Sequence, residues 1–260
     1  MARRTLVLFL LSKLVAIALA LAALVLGDPR FWPAAALIFF GADFWVLYHL
    51  FVPSAQGLCR NFTHFETTAQ EVWLTIDDGP DVVDTPLLLD LLDRHQAKAT
   101  FFVIGDRAAV HPELLAEIIV RGHQVGHHTQ THPSLSFWCA TQSRVYAELD
   151  DALEVLRTAN LRPRWFRPPV GIKNVFLPAA LAERKLQCVG WSVRSGDCLI
   201  RRPEKVVTKV MRHVRPGAII LMHEGPGVPG SVRVKAIAGV LEGLTANNYR
   251  CVLPPPELLR

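Results

Sequence analysis

Residues 71–80 read EVWLTIDDGP, a short apolar run that stops abruptly in two aspartates, a glycine and a proline. Val72, Trp73, Leu74 and Ile76 lie beside a turn signal, which predicts a buried strand ending at Asp77 and Asp78. Adjacent carboxylates repel each other and favour water, so placing both at the tip of an apolar strand calls for a cation or a proton. In a regular strand their side chains would face opposite sides of the sheet. Gly79 and Pro80 turn the chain there and would let both reach one cleft. Taken alone, the stretch reads more readily as an exposed Asp-Asp-Gly turn, and the rest of the chain decides.

Beyond this strand the chain alternates. Apolar, β-rich segments recur at residues 99–103, 124–126, 165–166, 186–193, 218–222 and 250–252. Helical spacing falls between them: Leu88, Leu91, Leu92 and His95 in one segment, Val145, Leu149, Leu153 and Leu156 in another. Such alternation predicts parallel β-α units, and with about seven repeats an α/β barrel rather than an open sheet. Chemistry in a barrel of this kind gathers at the C-terminal ends of the strands, where Asp77 and Asp78 sit.

The start of the chain has a different character. Residues 5–27 are apolar apart from Ser12 and Lys13, long enough to span a bilayer, and follow Arg3 and Arg4. A cleaved signal peptide is the competing reading. A second apolar stretch, 31–52, carries Trp32, Trp45 and Tyr48 towards its ends and Asp43 inside, a candidate partner for Lys13 across a helical hairpin. The expected organisation is a membrane anchor of one or two helices over 1–52, a linker over 53–70 and a catalytic domain over 71–260. With both segments spanning a bacterial-type inner membrane, Arg3 and Arg4 hold the N-terminus inside and return the domain to the cytoplasmic face; with one, it faces outward. The net charge of +5 is mild and no aromatic-rich basic strip occurs, so nucleic acid is not an expected partner. Five cysteines without a CxxC pair suggest neither a disulfide framework nor a zinc knuckle.

Other predicted strand ends supply chemistry. In GHHTQTH, residues 126–132, His128 and His132 are four apart, which on a helical turn would put both on one face; His127 would point elsewhere. Two histidines and one carboxylate form a catalytic metal set with positions left for water and substrate. Arg167 opens RPPVG, whose prolines stiffen the loop, and a fixed arginine can hold a carboxylate. His223 ends another strand, with Asp197 available to orient it, which suits a general acid.

Together TIDDGP, HTQTH, RPPVG, WSVRSGD and ILMH resemble, in order and approximate spacing, the polysaccharide deacetylases, the chitooligosaccharide-deacetylase homology domain of carbohydrate esterase family four. The resemblance covers residues 71–253. It implies a distorted β/α barrel and a divalent metal, usually zinc, used to remove acyl groups from N-acylated sugars. It further implies that Asp77 is the general base, that Asp78, His128 and His132 are the metal ligands, and that Arg167 steadies Asp77. His223 would be the general acid with Asp197 its orienting partner; Leu221 would wall the acetyl group and the Val170 N–H would face the oxyanion. Three positions depart from the pattern: Val170 stands where many members have tyrosine, Cys198 where many have tryptophan, and Arg194 where an acid is frequent. An altered substrate is the expected consequence. A basic domain tethered at a bilayer, with Arg194, Arg201 and Arg202 near one rim, points to an envelope or lipid-linked saccharide. The alternative is a catalytically retired glycan-binding or scaffold protein, which would not need a base and an acid together.

Overall fold

The computed structural model describes residues 2–260; the side chains of residues 1–6, Arg3 and Arg4 among them, lie outside the described set. Two long helices come first, α1 (Ala2–Leu26) and α2 (Phe31–Phe51), packed side by side. Lys13 Nζ lies 2.5 Å from Asp43 Oδ2, so the two costly charges in the apolar helices pair as the sequence suggests. Each helix is long and apolar enough to cross a membrane, and only 11% of each apolar window is buried in the protein. The end of α2 is fixed to the following domain. The main-chain N–H of Lys173 donates to Leu50 O, and its Nζ donates to Val52 O and Pro53 O, partnering carbonyls that a helix end leaves open.

The domain alternates strand and helix. After β1 (Asn61–Phe62) come β2 (Glu71–Gly79), α3 (Asp84–Arg94), β3 (Ala99–Val103), α4 (Gly105–Val110), α5 (Pro112–Val120) and β4 (Gln124–His127). Then follow α6 (Gln142–Thr158), β5 (Trp165–Phe166), α7 (Leu177–Glu183), β6 (Gln187–Val189), β7 (Val193–Arg194), α8 (Pro203–His213), β8 (Ile219–His223), α9 (Arg233–Ala246) and β9 (Arg250–Cys251). The strands pair in parallel in the order β1-β6-β5-β4-β3-β2-β8-β7, with β9 added to β2. Because β1 and β7 end this path without pairing, the barrel is open along one seam.

Nine strands replace the seven expected, for two local reasons. The apolar segment 186–193 is divided: Gly190 packs against the Asn61 side chain and donates to Phe62 O, so pairing changes partner between β6 and β7. The stretch expected as a linker also contributes. Phe62 and Phe65 are buried, and β1 pairs with β6 at Asn61↔Cys188 and Phe62↔Val189. A two-residue strand carries too little period to be read from sequence.

Residues 72–77 of β2 are all buried, as for a parallel strand covered on both faces. Leu74 and Ile76 join Leu88, Leu92, Val240 and Leu244 in the layer between sheet and helices, whereas Trp73 faces Phe102, Trp165 and Ile219 inside the barrel. The two helical stripes read from the sequence form as expected in α3 and α6, the latter started by Thr141, whose side chain accepts from Arg144 N. These layers hold the C-terminal ends of β4, β3, β2 and β8 in a row along one rim of the sheet.

Candidate active site

At the tip of β2 the register with β3 skips a residue: Asp77 pairs with Phe102 and Gly79 with Val103, leaving Asp78 as a bulge with φ 71°. This distortion, rather than the Gly79-Pro80 turn alone, brings both carboxylates to one side. Gly79 has a further duty, since any Cβ there would run into the Glu224 carboxyl. Asp77 Oδ1 accepts from Arg167 Nη1 at 2.6 Å, while Oδ2 lies 3.7 Å from His128 Nε2. The Arg167 side chain is fully buried; it also donates to Thr75 Oγ1, Val189 O and Gly190 O, so its fork is fixed before anything binds.

The histidines meet without a helical turn. His128 follows directly on β4, the chain passes through Thr129 with φ 67°, and His132 has φ 53°. The four-residue spacing is therefore closed by a left-handed loop, and the imidazoles lie 4.8 Å apart between centroids. His128 Nδ1 faces Arg167 O at 2.7 Å and donates to it, which leaves Nε2 as the free lone pair; His132 Nδ1 contacts Ser134 Oγ. His127 points away into the core, its Nε2 donating to Leu149 O and its Nδ1 accepting from Thr129 N.

Asp78 Oδ1 lies 3.4 Å from His128 Nε2 and 3.3 Å from His132 Nε2, yet it is buried with no hydrogen-bond partner among the described residues. Burial alone would raise this carboxyl, but the imidazoles of His128 and His132 hold it well below its ordinary value. One ligand atom from each of the three residues falls within 4.8 Å of the others. An orphaned carboxylate oxygen and two inward Nε2 atoms make a donor set that fits a divalent cation with N/O preference.

On the neighbouring strand His223 ends β8, in register with Asp77. Its Nδ1 meets Asp197 Oδ1 at 2.8 Å and its main-chain N–H donates to Asp197 Oδ2 at 2.8 Å. Asp197 is held in turn by Ser195 Oγ and Cys198 N. Burial works against charge on His223, but the Asp197 carboxylate raises it well above its ordinary value. A cavity of ≈ 230 Å³ is lined by Asp77, Asp78, His128, His132, Asp197 and His223, together with Val170 and Leu221. A cavity of ≈ 660 Å³ beside α3 and α9 holds none of these groups. Val170 has φ 50°, strained for a β-branched residue, on a loop placed against the cavity. Of the three arginines expected on one rim, only Arg194 lines the cavity; Arg201 and Arg202 lie in the turn before α8.

Some neighbours carried little sequence signal. Trp191 and Leu199 line the cavity, and Arg107 Nη1 donates to the main-chain oxygen of Asp78. Glu224, next to His223, is buried and pushed up to about 8 by burial and by the charges of Asp81 and Asp84, with Thr85 Oγ1 donating to Oε2. Only its place in the HEG run, beside the acid candidate, could have flagged it.

The polysaccharide deacetylase family model matches residues 65–189. A chitooligosaccharide deacetylase of Bradyrhizobium sp. is 39% identical over 211 residues, covering 76% of this chain and 94% of the relative. A peptidoglycan-N-acetylglucosamine deacetylase of Bacillus cereus is 34% identical over 188 residues, covering 71% and 67%. Among solved structures, a peptidoglycan N-acetylglucosamine deacetylase with a bound benzamide matches with TM-score 0.68 and 30% identity, over 75% of this chain and 91% of that one.

Proposed function

The chain belongs to the polysaccharide deacetylase family and is a hydrolase of amide C–N bonds, and on that premise we propose that it removes the acyl group, acetyl or formyl, from an N-acylated sugar of the cell envelope. The observation that carries the reading is the pairing of two differently equipped carboxylates. Asp78 faces two imidazoles and has an orphaned oxygen, whereas Asp77 is clamped through one oxygen by Arg167 and keeps the other toward the cavity.

Asp78, His128 and His132 would hold a divalent metal, zinc by family resemblance, which when bound supplies Lewis acidity toward the amide carbonyl and the attacking water. Asp77 Oδ2 takes a proton from that water as its oxygen bonds to the carbonyl carbon, and Arg167 keeps the carboxylate aimed while this happens. The Val170 N–H stabilises the oxyanion, and Leu221 gives the acyl methyl an apolar wall. His223 then donates its proton to the nitrogen as the C–N bond breaks, releasing the amine and the carboxylic acid; the acid's proton returns to His223 and the proton on Asp77 leaves with the amine as ammonium, which restores both groups. Asp197 serves this step by holding His223 charged and oriented through Nδ1. A retired, binding-only protein would have no use for a base and an acid lining one cavity.

The apolar helices α1 and α2 would anchor this domain to a membrane. Their paired charges and mostly uncovered surfaces favour an anchor over a cleaved leader, and the hairpin would leave the domain on the cytoplasmic face. The test is acetate or formate release from N-acyl saccharides by the full chain in detergent. Metal-independent hydrolysis, or none by metal-loaded protein on any such sugar, contradicts the reading.

A further inference from the structure

We infer that the mouth of the catalytic cavity rests on the lipid surface and takes its N-acyl sugar from a membrane lipid joined to that sugar through phosphate; this rests on the deacylase and anchor readings above. Two independent features carry it. The first is an apolar rim. Leu199, 78% exposed, and Val170 line the cavity, while Leu135, 91% exposed, accepts from Trp138 Nε1 on the loop after His132, which Asn174 ties to the segment carrying the exposed Val175 and Phe176. Sugar binding does not require so many uncovered large side chains, and such patches mark surfaces that meet something apolar. The rim is joined to the end of α2. Phe51 packs on Trp138 at 5.2 Å between centroids, Asn174 Nδ2 donates to Phe137 O, Trp138 O and Ala140 O, and Lys173 grips the last turn of α2. With α2 in a bilayer, the rim lies at the interface, where tryptophan and phenylalanine are favoured.

The second feature is a cationic cleft of ≈ 450 Å³ that shares Trp191 and Arg194 with the catalytic cavity. Its other lining includes Pro53 and Ser54, directly after α2, with His64 and Arg215 and no carboxylate. Among the described residues neither Arg194 nor Arg215 forms an ion pair. Two free guanidiniums beside the sugar site suit a phosphate or diphosphate ester. The order along the protein is the end of α2, then the cleft, then the catalytic cavity. It matches the order lipid, phosphate, sugar in such a substrate.

The test uses the full chain in phosphatidylcholine nanodiscs. N-acetylglucosaminyl diphosphoryl farnesol is the lipid-linked probe, with N-acetylglucosamine 1-phosphate and chitotetraose as soluble ones. Binding and acetate release are read separately. Tightest binding is expected for the lipid-linked probe, with its selectivity over chitotetraose falling about tenfold in Arg215→Ala, as for loss of one charge-assisted hydrogen bond. Leu135→Asp should lower the same ratio by repelling the rim from the lipid. Equal binding of all three probes overturns the inference, as does a selectivity that neither substitution changes or a soluble phosphate bound as tightly as the lipid-linked one. Acetate release from chitotetraose without lipid preference refutes it and leaves the deacylase reading standing. Tight, Arg215-dependent binding of the lipid-linked probe with no acetate from any probe supports it and sinks that reading instead.

Discussion

Asp77 and Asp78 are neighbours with opposite surroundings, and substitution should separate them. Asp77→Asn is expected to lower turnover about 100-fold or more, the usual contribution of a positioned base, while metal content measured by mass spectrometry stays near that of the wild type. His128→Ala should lose both. Metal loss in Asp77→Asn would contradict this division. At the tip of β8, Asp197 raises His223 above its ordinary value of 6.5 against the effect of burial. His223 therefore keeps its proton to higher pH than an ordinary imidazole, and the alkaline limb of kcat should move to lower pH in Asp197→Asn, where burial acts unopposed. An unmoved limb would remove Asp197 from its positioning role. The same linkage gives stability that is present below 6.5 and is lost as pH rises through the raised value. That these residues converge on one candidate site was legible because TIDDGP and HTQTH each place donors at a strand end. The bulge at Asp78 was not, because a single φ of 71° leaves no compositional trace.

Elements show the same contrast between what has a period and what does not. Helices α3 and α6 could be read from their apolar stripes, and β2 from its run of apolar residues. The spacing of His128 and His132 suggested a helical turn, but a left-handed loop achieves the same meeting, since i and i+4 fix separation in sequence and not the path. Lys173 was silent in the sequence. It lies in a loop outside every motif, yet its side chain and main chain together take three acceptors at the end of α2. Lys173→Met should cost about 1–3 kcal/mol, the range for leaving such carbonyls unpartnered, and should expose residues near Pro53 to limited proteolysis. An unchanged cleavage pattern would mean that α2 is held by other contacts. Gly79→Ala should destabilise the β2 tip by driving a methyl group into Glu224, seen as a lower Tm.

At the scale of the whole molecule, buried neutral histidines set an acid limit. Burial lowers His123 and His127 to about 4 from 6.5, and His127 already uses both nitrogens, one as donor and one as acceptor. The unfolded chain takes up these protons below 6.5 and the native one does not until about 4, so stability falls across that interval. Glu224 and His223, both raised, act in the opposite direction, so substitution isolates the histidine effect: going from about pH 7.5 to about pH 5 should lower the Tm of the wild type relative to that of His123→Asn, and a parallel pH dependence would contradict the assignment. The barrel, and the strand ends that carry the candidate site, were legible from strand-helix alternation. The seam between β1 and β7, and the joining of α2 to the rim, arise from contacts far apart in sequence and could only be seen in the folded chain. For the hairpin, a reporter fused after Arg260 should be active in its cytoplasmic form and silent in its periplasmic form; the reverse would leave only one helix spanning. The most direct measurement is acetate release from chitotetraose by the full chain in detergent, before and after chelation and again with zinc restored. Turnover should vanish with chelator and return with metal in the wild type and remain absent throughout in Asp77→Asn. Undiminished hydrolysis by the chelated protein, or full activity in Asp77→Asn, would contradict the account.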